Sequence, residues 1–310
     1  MRIALTYNLR RSHDEAYAEL DSAATVRALA ALIARGGHSV TRVEVSGPLE
    51  RAVARLRALA PDLVFNIAEG MRGTFREAVI PAVCEQLELP CTGSPPSVLA
   101  ICLDKRLACR IVGAAGVAVP GDGVPAIVKP QFEGSSKGIS QASVVTDAAD
   151  LPAAIAAVRA RYPDVVVERY VDGSDVAVGW IEGIGLLPAI HYAYEPSGPH
   201  AIMDRTVKAD GRLRVEIRPL DPRLREAARR AFEALGIVGF GRADFRLTPA
   251  GEPVFLEMNP LPSLDPGERD LYAAGAALGI TQPALIAAIV AAARCGREAA
   301  VRLRARRRGM

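Results

Sequence analysis

The chain has 310 residues, half of them apolar by type, with 38 basic residues against 35 acidic ones and a net charge of +3. That supplies sizeable cores for two or three compact units and too little charge for a nucleic-acid partner. The longest apolar run, Ala284 to Ala293, is far short of the roughly 20 residues of a membrane span, and no charged-then-apolar leader opens the chain; a cytoplasmic protein with no membrane partner is expected.

In chain order, Ile3 to Thr6 reads as a first strand, and Asp21-Ser22 opens an amphipathic, alanine-rich helix that stops at Gly36-Gly37. A strand over Ser39 to Val45, a helix over Leu49 to Ala60, a strand over Leu63 to Asn66 and a helix over Phe75 to Leu87 follow. This alternation predicts a parallel sheet in an N-terminal α/β unit over 1–94. Ligands of such sheets sit beyond the carboxyl ends of the strands, so Tyr7 to Glu19 and Asn66 to Arg76 belong at a site mouth. Residues 95–180 read as a smaller α+β unit, with helices over Asp104 to Gly113 and Leu151 to Arg161 and strands over Ala126 to Lys129 and Val165 to Arg169. Residues 181–310 read as a sheet with helices over Pro222 to Leu235, Leu271 to Leu278 and Pro283 to Arg294. Five cysteines, Cys84, Cys91, Cys102, Cys109 and Cys295, lack paired metal spacing and suit reduced thiols. The run Arg302-Leu-Arg-Ala-Arg-Arg-Arg308 reads as a solvated helix end.

Two segments carry chemistry. In Gly241 to Asn259, two apolar stretches flank the turn Thr248-Pro-Ala-Gly251, which returns the chain antiparallel and sets Asp244 beside Glu257 and Asn259. Side chains alternate along a strand, so Glu257 and Asn259 share a face. Two carboxylates and an amide oxygen suit a hard divalent cation, and magnesium held by so few protein ligands implies substrate phosphates; an ordinary hairpin with solvated acids is the plainer alternative. Upstream, Val128 to Ser140 follows a short strand and contains Glu133-Gly-Ser-Ser-Lys-Gly138. Glycines let backbone N–H groups approach an anion, the Ser135 and Ser136 hydroxyls add donors, and Lys129 and Lys137 add positive charge. The spacing is not that of a Walker A loop, and no Gly-x-Gly-x-x-Gly follows the first strand, which argues against a nicotinamide enzyme.

The order Lys129-Pro, Glu133-Gly-Ser-Ser-Lys-Gly, Val167 to Asp175, Arg242-Ala-Asp244 and Glu257-Met-Asn259 resembles the ATP-grasp superfamily and, within it, the D-alanine-D-alanine ligase group. Leu89-Pro-Cys-Thr-Gly-Ser94 and Leu103-Asp-Lys105 look like that group's junction between first and central domains. The resemblance implies an ATP-grasp fold in which a Rossmann-like sheet domain precedes a central lid and a metal-binding C-terminal domain. It also implies ATP, with magnesium or manganese, and commonly a homodimer. Lys105 and Lys129 match the group's phosphate-contacting lysines, Ser135 its loop serine, with Glu133 and Ser136 beside it. Glu168 and Asp175 fall where adenine and ribose bind. Arg242 matches the arginine that steadies a tetrahedral oxyanion, although an ion pair with Asp244 is the alternative, and Lys208 is the candidate lysine of the mobile loop.

The expected reaction has a carboxylate attack the γ-phosphate of ATP to give an acyl phosphate, which an amine displaces. The amino-acid pocket departs from the group. Glu69 stands where a histidine is usual, which suits a substrate ammonium or guanidino-like group, with Arg72, Arg76 and Glu77 nearby. The amine-binding glutamate falls between Glu15 and Glu19, Ala209 stands where a tyrosine is usual, and Ser263 and Glu268 stand where the second carboxylate would be held. A ligase specialised for an amino acid or its derivative ranks first, a ring-closing ligase of the D-cycloserine-forming type second and D-alanine-D-alanine ligation third. A nucleotide-binding regulator without chemistry would not need the whole cage of lysines, arginine and acids.

Overall fold

Three sheets position everything that follows. The computed structural model describes residues 1–209, 213–267 and 270–294, so Glu268, Cys295 and the basic run at 302–308 lie outside the described residues. In the first sheet, β1 (Arg2–Tyr7) runs parallel to β2 (Ser39–Glu44) and β3 (Leu63–Asn66), in the order β2-β1-β3. All four residues of β3 are buried, as a strand covered on both faces must be. The crossovers are α1 (Ala23–Arg35) and α2 (Leu49–Leu59). Ser22 caps α1 by accepting the Thr25 N–H at 3.0 Å, and Gly37 beyond its other end has a φ of 77°.

A short 3-10 turn, Arg76–Ala78, leads into α3 (Val79–Gln86), and α4 (Pro96–Leu103) and α5 (Lys105–Ala114) follow. The second sheet is antiparallel, in the order β5-β4-β6, with β4 (Ala126–Pro130), β5 (Val144–Val145) and β6 (Val165–Arg169) packed on α6 (Leu151–Arg159). The third, also antiparallel, has the order β11-β10-β7-β8-β9. Its strands are β7 (Ser174–Ile181), β8 (Gly185–Ala193), β9 (Arg214–Arg218), β10 (Phe240–Leu247) and β11 (Pro253–Asn259). Residues 180 and 181 both lie in β7, which pairs along its length with β10. The remaining helices are α7 (Arg205–Ala209), α8 (Pro222–Leu235), α9 (Asp270–Ala276) and a helix over 282–294.

One face of the five-stranded sheet buries Val176, Val178, Phe245, Phe255 and Met258 against α4, α5 and α8. Phe255 and Met258 are three residues apart, yet both reach this core because the strand register slips between Asp244 and Phe245, leaving Leu256 as an extra residue in β11. Without that bulge, alternation would put Phe255 on the face of Glu257 and Asn259. The opposite face of the sheet, through Ala177, Ile181 and Ile190, shares a core with Ile3, Leu5 and Phe65 of the first sheet and with Leu285 and Ile289.

Candidate active site

A cavity of about 1430 Å³ opens among the three sheets, lined by Lys105, Lys129, Ser135, Glu168, Asp175, Arg242, Asp244, Glu257 and Asn259 among others. Asp244 and Glu257 are direct cross-strand partners, and Arg242 faces Asn259 two positions on. All four therefore share the face turned away from the phenylalanine core, as the strand spacing predicts. Asp244 accepts from Arg242 Nε at 2.7 Å and Nη2 at 2.8 Å, a bidentate pair. Glu257 lies 3.1 Å from Lys105 Nζ. Burial alone would raise the Glu257 carboxyl, but Lys105 and Lys129 hold it down to about 2. Burial raises Asp244 despite Arg242, and Arg242 itself, opposed by burial but beside Asp244, is held well above the ordinary guanidinium range. Asn259 Oδ1 accepts the Leu261 N–H at 2.9 Å.

These groups fit a divalent cation. A carboxylate offers about four lone-pair sites, and Arg242 takes two of those on Asp244. Glu257 is held ionised, and the side chains of Asp244 and Glu257 stay 20% and 34% exposed, open to the cavity.

Opposite the hairpin stand two buried lysines. Lys105 is the first residue of α5, capped by Asp104, which accepts the Leu107 N–H at 3.1 Å; helix end and ammonium both present positive charge to an anion. Lys105 Nζ also donates to the Glu133 carbonyl. Lys129 on β4 pairs with Glu168 on β6 at 2.5 Å. Burial lowers the Lys129 ammonium, but Glu168 outweighs it and raises it. Asp175 on β7 binds Arg246 at 2.9 Å and accepts from the Tyr194 hydroxyl. Glu168 and Asp175 thus line the cavity already held by cations.

The loop after β4 makes a tight turn in which Ser135 and Ser136 have φ of 50° and 58°, and the Lys137 N–H donates to the Gly134 carbonyl at 3.0 Å. Two successive non-glycine residues with positive φ cost of order 1 kcal/mol or more each, so something must hold them. The holders come from the loop after β1. Glu19 accepts the Gly134 N–H and Lys137 Nζ, each at 2.5 Å, and pairs with Arg76 at 3.0 Å. Glu15 accepts the Gly138 N–H at 2.8 Å. Glu133 adds contacts to Lys137 at 2.8 Å and Arg76 at 3.5 Å. Burial would raise the Glu19 carboxyl, but Arg76 and Lys137 hold it below its usual range. Both glutamates between which the amine-binding position falls are thereby engaged with the serine loop.

Other expected residues differ in placement. Lys208 on α7 lines the cavity with its side chain exposed, and partial desolvation at the cavity wall together with Arg242 lowers its ammonium. Ser263 also lines it, accepting the Asp265 N–H at 3.3 Å. Glu69 faces the cavity near Glu77. Arg76 is buried in its pair with Glu19 and in a 2.7 Å bond to the Phe132 carbonyl, which leaves its guanidinium to the loop. Arg72 is exposed and does not line the cavity.

Asp270, Tyr192 and Arg246 also line the cavity and are absent from the residues expected of it. Asp270 lies 3.3 Å from Arg242 and accepts the Tyr192 hydroxyl at 2.6 Å, contacts that only folding creates. Arg246 was signalled by alternation, since Arg242, Asp244 and Arg246 occupy every second position of β10.

A family model described as "D-ala D-ala ligase C-terminus" matches residues 118–291. The D-alanine-D-alanine ligase of Anaeromyxobacter sp. (strain Fw109-5) is 33% identical over 287 residues, which cover 85% of this chain and 87% of that one. That of Cupriavidus necator is 32% identical over 291 residues, covering 86% and 84%. Among solved structures, a D-alanine-D-alanine ligase from Bacillus anthracis complexed with ATP superposes with a TM-score of 0.75 at 20% identity, covering 96% of this chain and 99% of that chain. The VanG D-Ala:D-Ser ligase from Enterococcus faecalis gives 0.72 at 20% identity. The fold is that of an ATP-grasp enzyme. The chain belongs to the D-alanine-D-alanine ligase family: it is an ATP-using, ADP-forming ligase of carbon-nitrogen bonds, and no described helix is long and apolar enough to cross a membrane.

Proposed function

We propose that this enzyme joins two amino acids through an acyl phosphate, following the D-alanine-D-alanine pattern of its relatives but with a pocket specialised around Glu69. The observation that carries the reading is the cross-strand pair Asp244 and Glu257, with Arg242 beside them on the same strand face and Lys105 and Lys129 opposite, all lining one cavity. Lys105 and Lys129 neutralise the triphosphate, and the turn through Ser135 and Ser136 covers it, in the manner of phosphoryl transfer by positioning and electrostatics. Asp244, Glu257 and Asn259 would hold magnesium, or manganese in its place, which when bound offsets charge on the phosphate oxygens.

A carboxylate oxygen of the first amino acid bonds to the γ-phosphorus as the bond to the bridging oxygen of ADP breaks. The amine nitrogen of the second then bonds to the acyl carbon, giving a tetrahedral oxyanion that collapses with loss of phosphate. Arg242 is positioned to steady the oxyanion, and Lys208 adds charge from the opposite wall. Glu168 and Asp175 hold adenine and ribose by accepting hydrogen bonds. In this reading, units over 1–94, 95–180 and 181–310 supply the amino-acid pocket, the lid and the metal side. Phosphate release screened across D- and L-amino acids and their O- or N-substituted derivatives, singly and in pairs, with the product mass, tests it. A product one water lighter than the sum of two amino acids is expected, and absence of phosphate release with every pair would refute the reading.

A further inference from the structure

The end of the cavity under the first sheet holds more carboxylate than its cations answer. Arg76 and Lys137 are spoken for by Glu19 and Glu133, and Lys105 by Glu257 and the Glu133 carbonyl. Glu69 and Glu77 remain. Glu77 follows Arg76 in the short 3-10 turn, is only 7% exposed, lines the cavity, and makes no side-chain hydrogen bond or ion pair with any described residue. Glu69 lines the same wall, and its charge and that of Glu77 repel one another. A buried carboxylate without a partner costs several kcal/mol, a cost that a cation arriving from outside would cancel.

On the ligase reading above, we propose that Glu69 and Glu77 receive a second cationic group of the substrate, so that one of the two amino acids joined is a diamino acid whose side-chain ammonium is seated between them. The unpartnered state of Glu77 is then that of a receptor awaiting its ligand. Burial comes first in holding both carboxyls above their usual range; for Glu77 the charges of Arg76 and Lys105 answer it only in part, and for Glu69 the charge of Glu77 adds to it.

The test measures phosphate release by the full chain with D-alanine alone, then with D-alanine paired with ornithine or lysine of either chirality. Norvaline and norleucine serve as uncharged counterparts. A kcat/KM at least about tenfold higher for the diamino acid is expected, the yield of one charge-assisted hydrogen bond. That ratio should fall towards one in Glu69→Gln and in Glu77→Gln. Equal use of norleucine and lysine, or a ratio that neither substitution changes, would overturn the assignment while leaving the ligase reading standing, provided D-alanine still turns over. No phosphate release with any amino acid would overturn both. Should either variant fail to fold, thermal shift of the wild-type chain by lysine against norleucine decides: a rise in Tm with lysine alone supports the pocket, and equal shifts overturn it.

Discussion

Glu77→Gln offers a sharp test of the electrostatics under the first sheet. The carboxyl is buried, and burial pushes it from the usual 4.5 up to about 7. Facing it are Arg76 on its own turn, Glu69, Glu19 from the loop after β1, Lys105 on α5, Glu257 on β11 and Cys102 on α4. Because the folded chain holds this proton more tightly than the unfolded chain, folding stability contributed by Glu77 falls as pH rises from 4.5 through about 7. At about 1.4 kcal/mol per pH unit, the full penalty above pH 7 is about 3 kcal/mol. Glutamine has no proton to lose. Urea unfolding of both proteins at pH 5 and pH 8 should show the variant gaining about 2.5 kcal/mol on the wild type between the two conditions, since part of the penalty is already present at pH 5. An unchanged difference between the proteins at the two pH values would refute a buried, unpartnered carboxylate at this position.

Three further outcomes follow from the site. Glu257→Gln should abolish phosphate release from ATP while leaving the far-UV circular dichroism unchanged, and release at the wild-type rate would remove Glu257 from the metal set. Glu19→Gln strips charge from a carboxylate serving two buried cations, Arg76 and Lys137, and should cost about 3–5 kcal/mol. Amide exchange at 134–138 should accelerate in that variant, and retained protection would show that Glu19 does not hold the serine loop. Arg242→Lys loses the two-pronged grip on Asp244 and, on the proposed mechanism, the planar donor to the oxyanion, so kcat should fall about a hundredfold; steady-state kinetics showing a change in KM alone would argue for a purely structural ion pair.

Much of the fold could be read from the chain because local pattern and final packing agree there. β3 and β6 have the predicted ends, and Ser22 and Gly37 bound α1 where their chemistry says they should. What could not be read has physical causes. α4, Pro96–Leu103, is apolar nearly all round because it is packed among α5, α8 and β11, so it lacks the stripe by which a surface helix is recognised. The allegiance of β7 to the five-stranded sheet is a choice among partners far along the chain, which strand propensity does not encode. In the site, alternation alone brought Asp244, Glu257 and Asn259 together. The hold of Glu19 and Glu15 on the serine loop spans more than a hundred residues of sequence, so a reading of either segment by itself leaves open which glutamate matters. Arg76 and Lys137 look like substrate or phosphate ligands for the same reason: the acids that claim them are remote in the chain.

Leu256 acts as a phase shifter. By adding one residue to β11 it lets a hydrophobic row and a ligand row, each obeying its own two-residue beat, coexist on one strand. Removal of Leu256 itself would take out the bulge and leave Phe255 and Glu257 adjacent, still on opposite faces and still opposite Phe245 and Asp244. Loss of Met258 would instead turn Asn259 to the phenylalanine side and away from Arg242, so a one-residue deletion should be far more damaging two positions further along the strand.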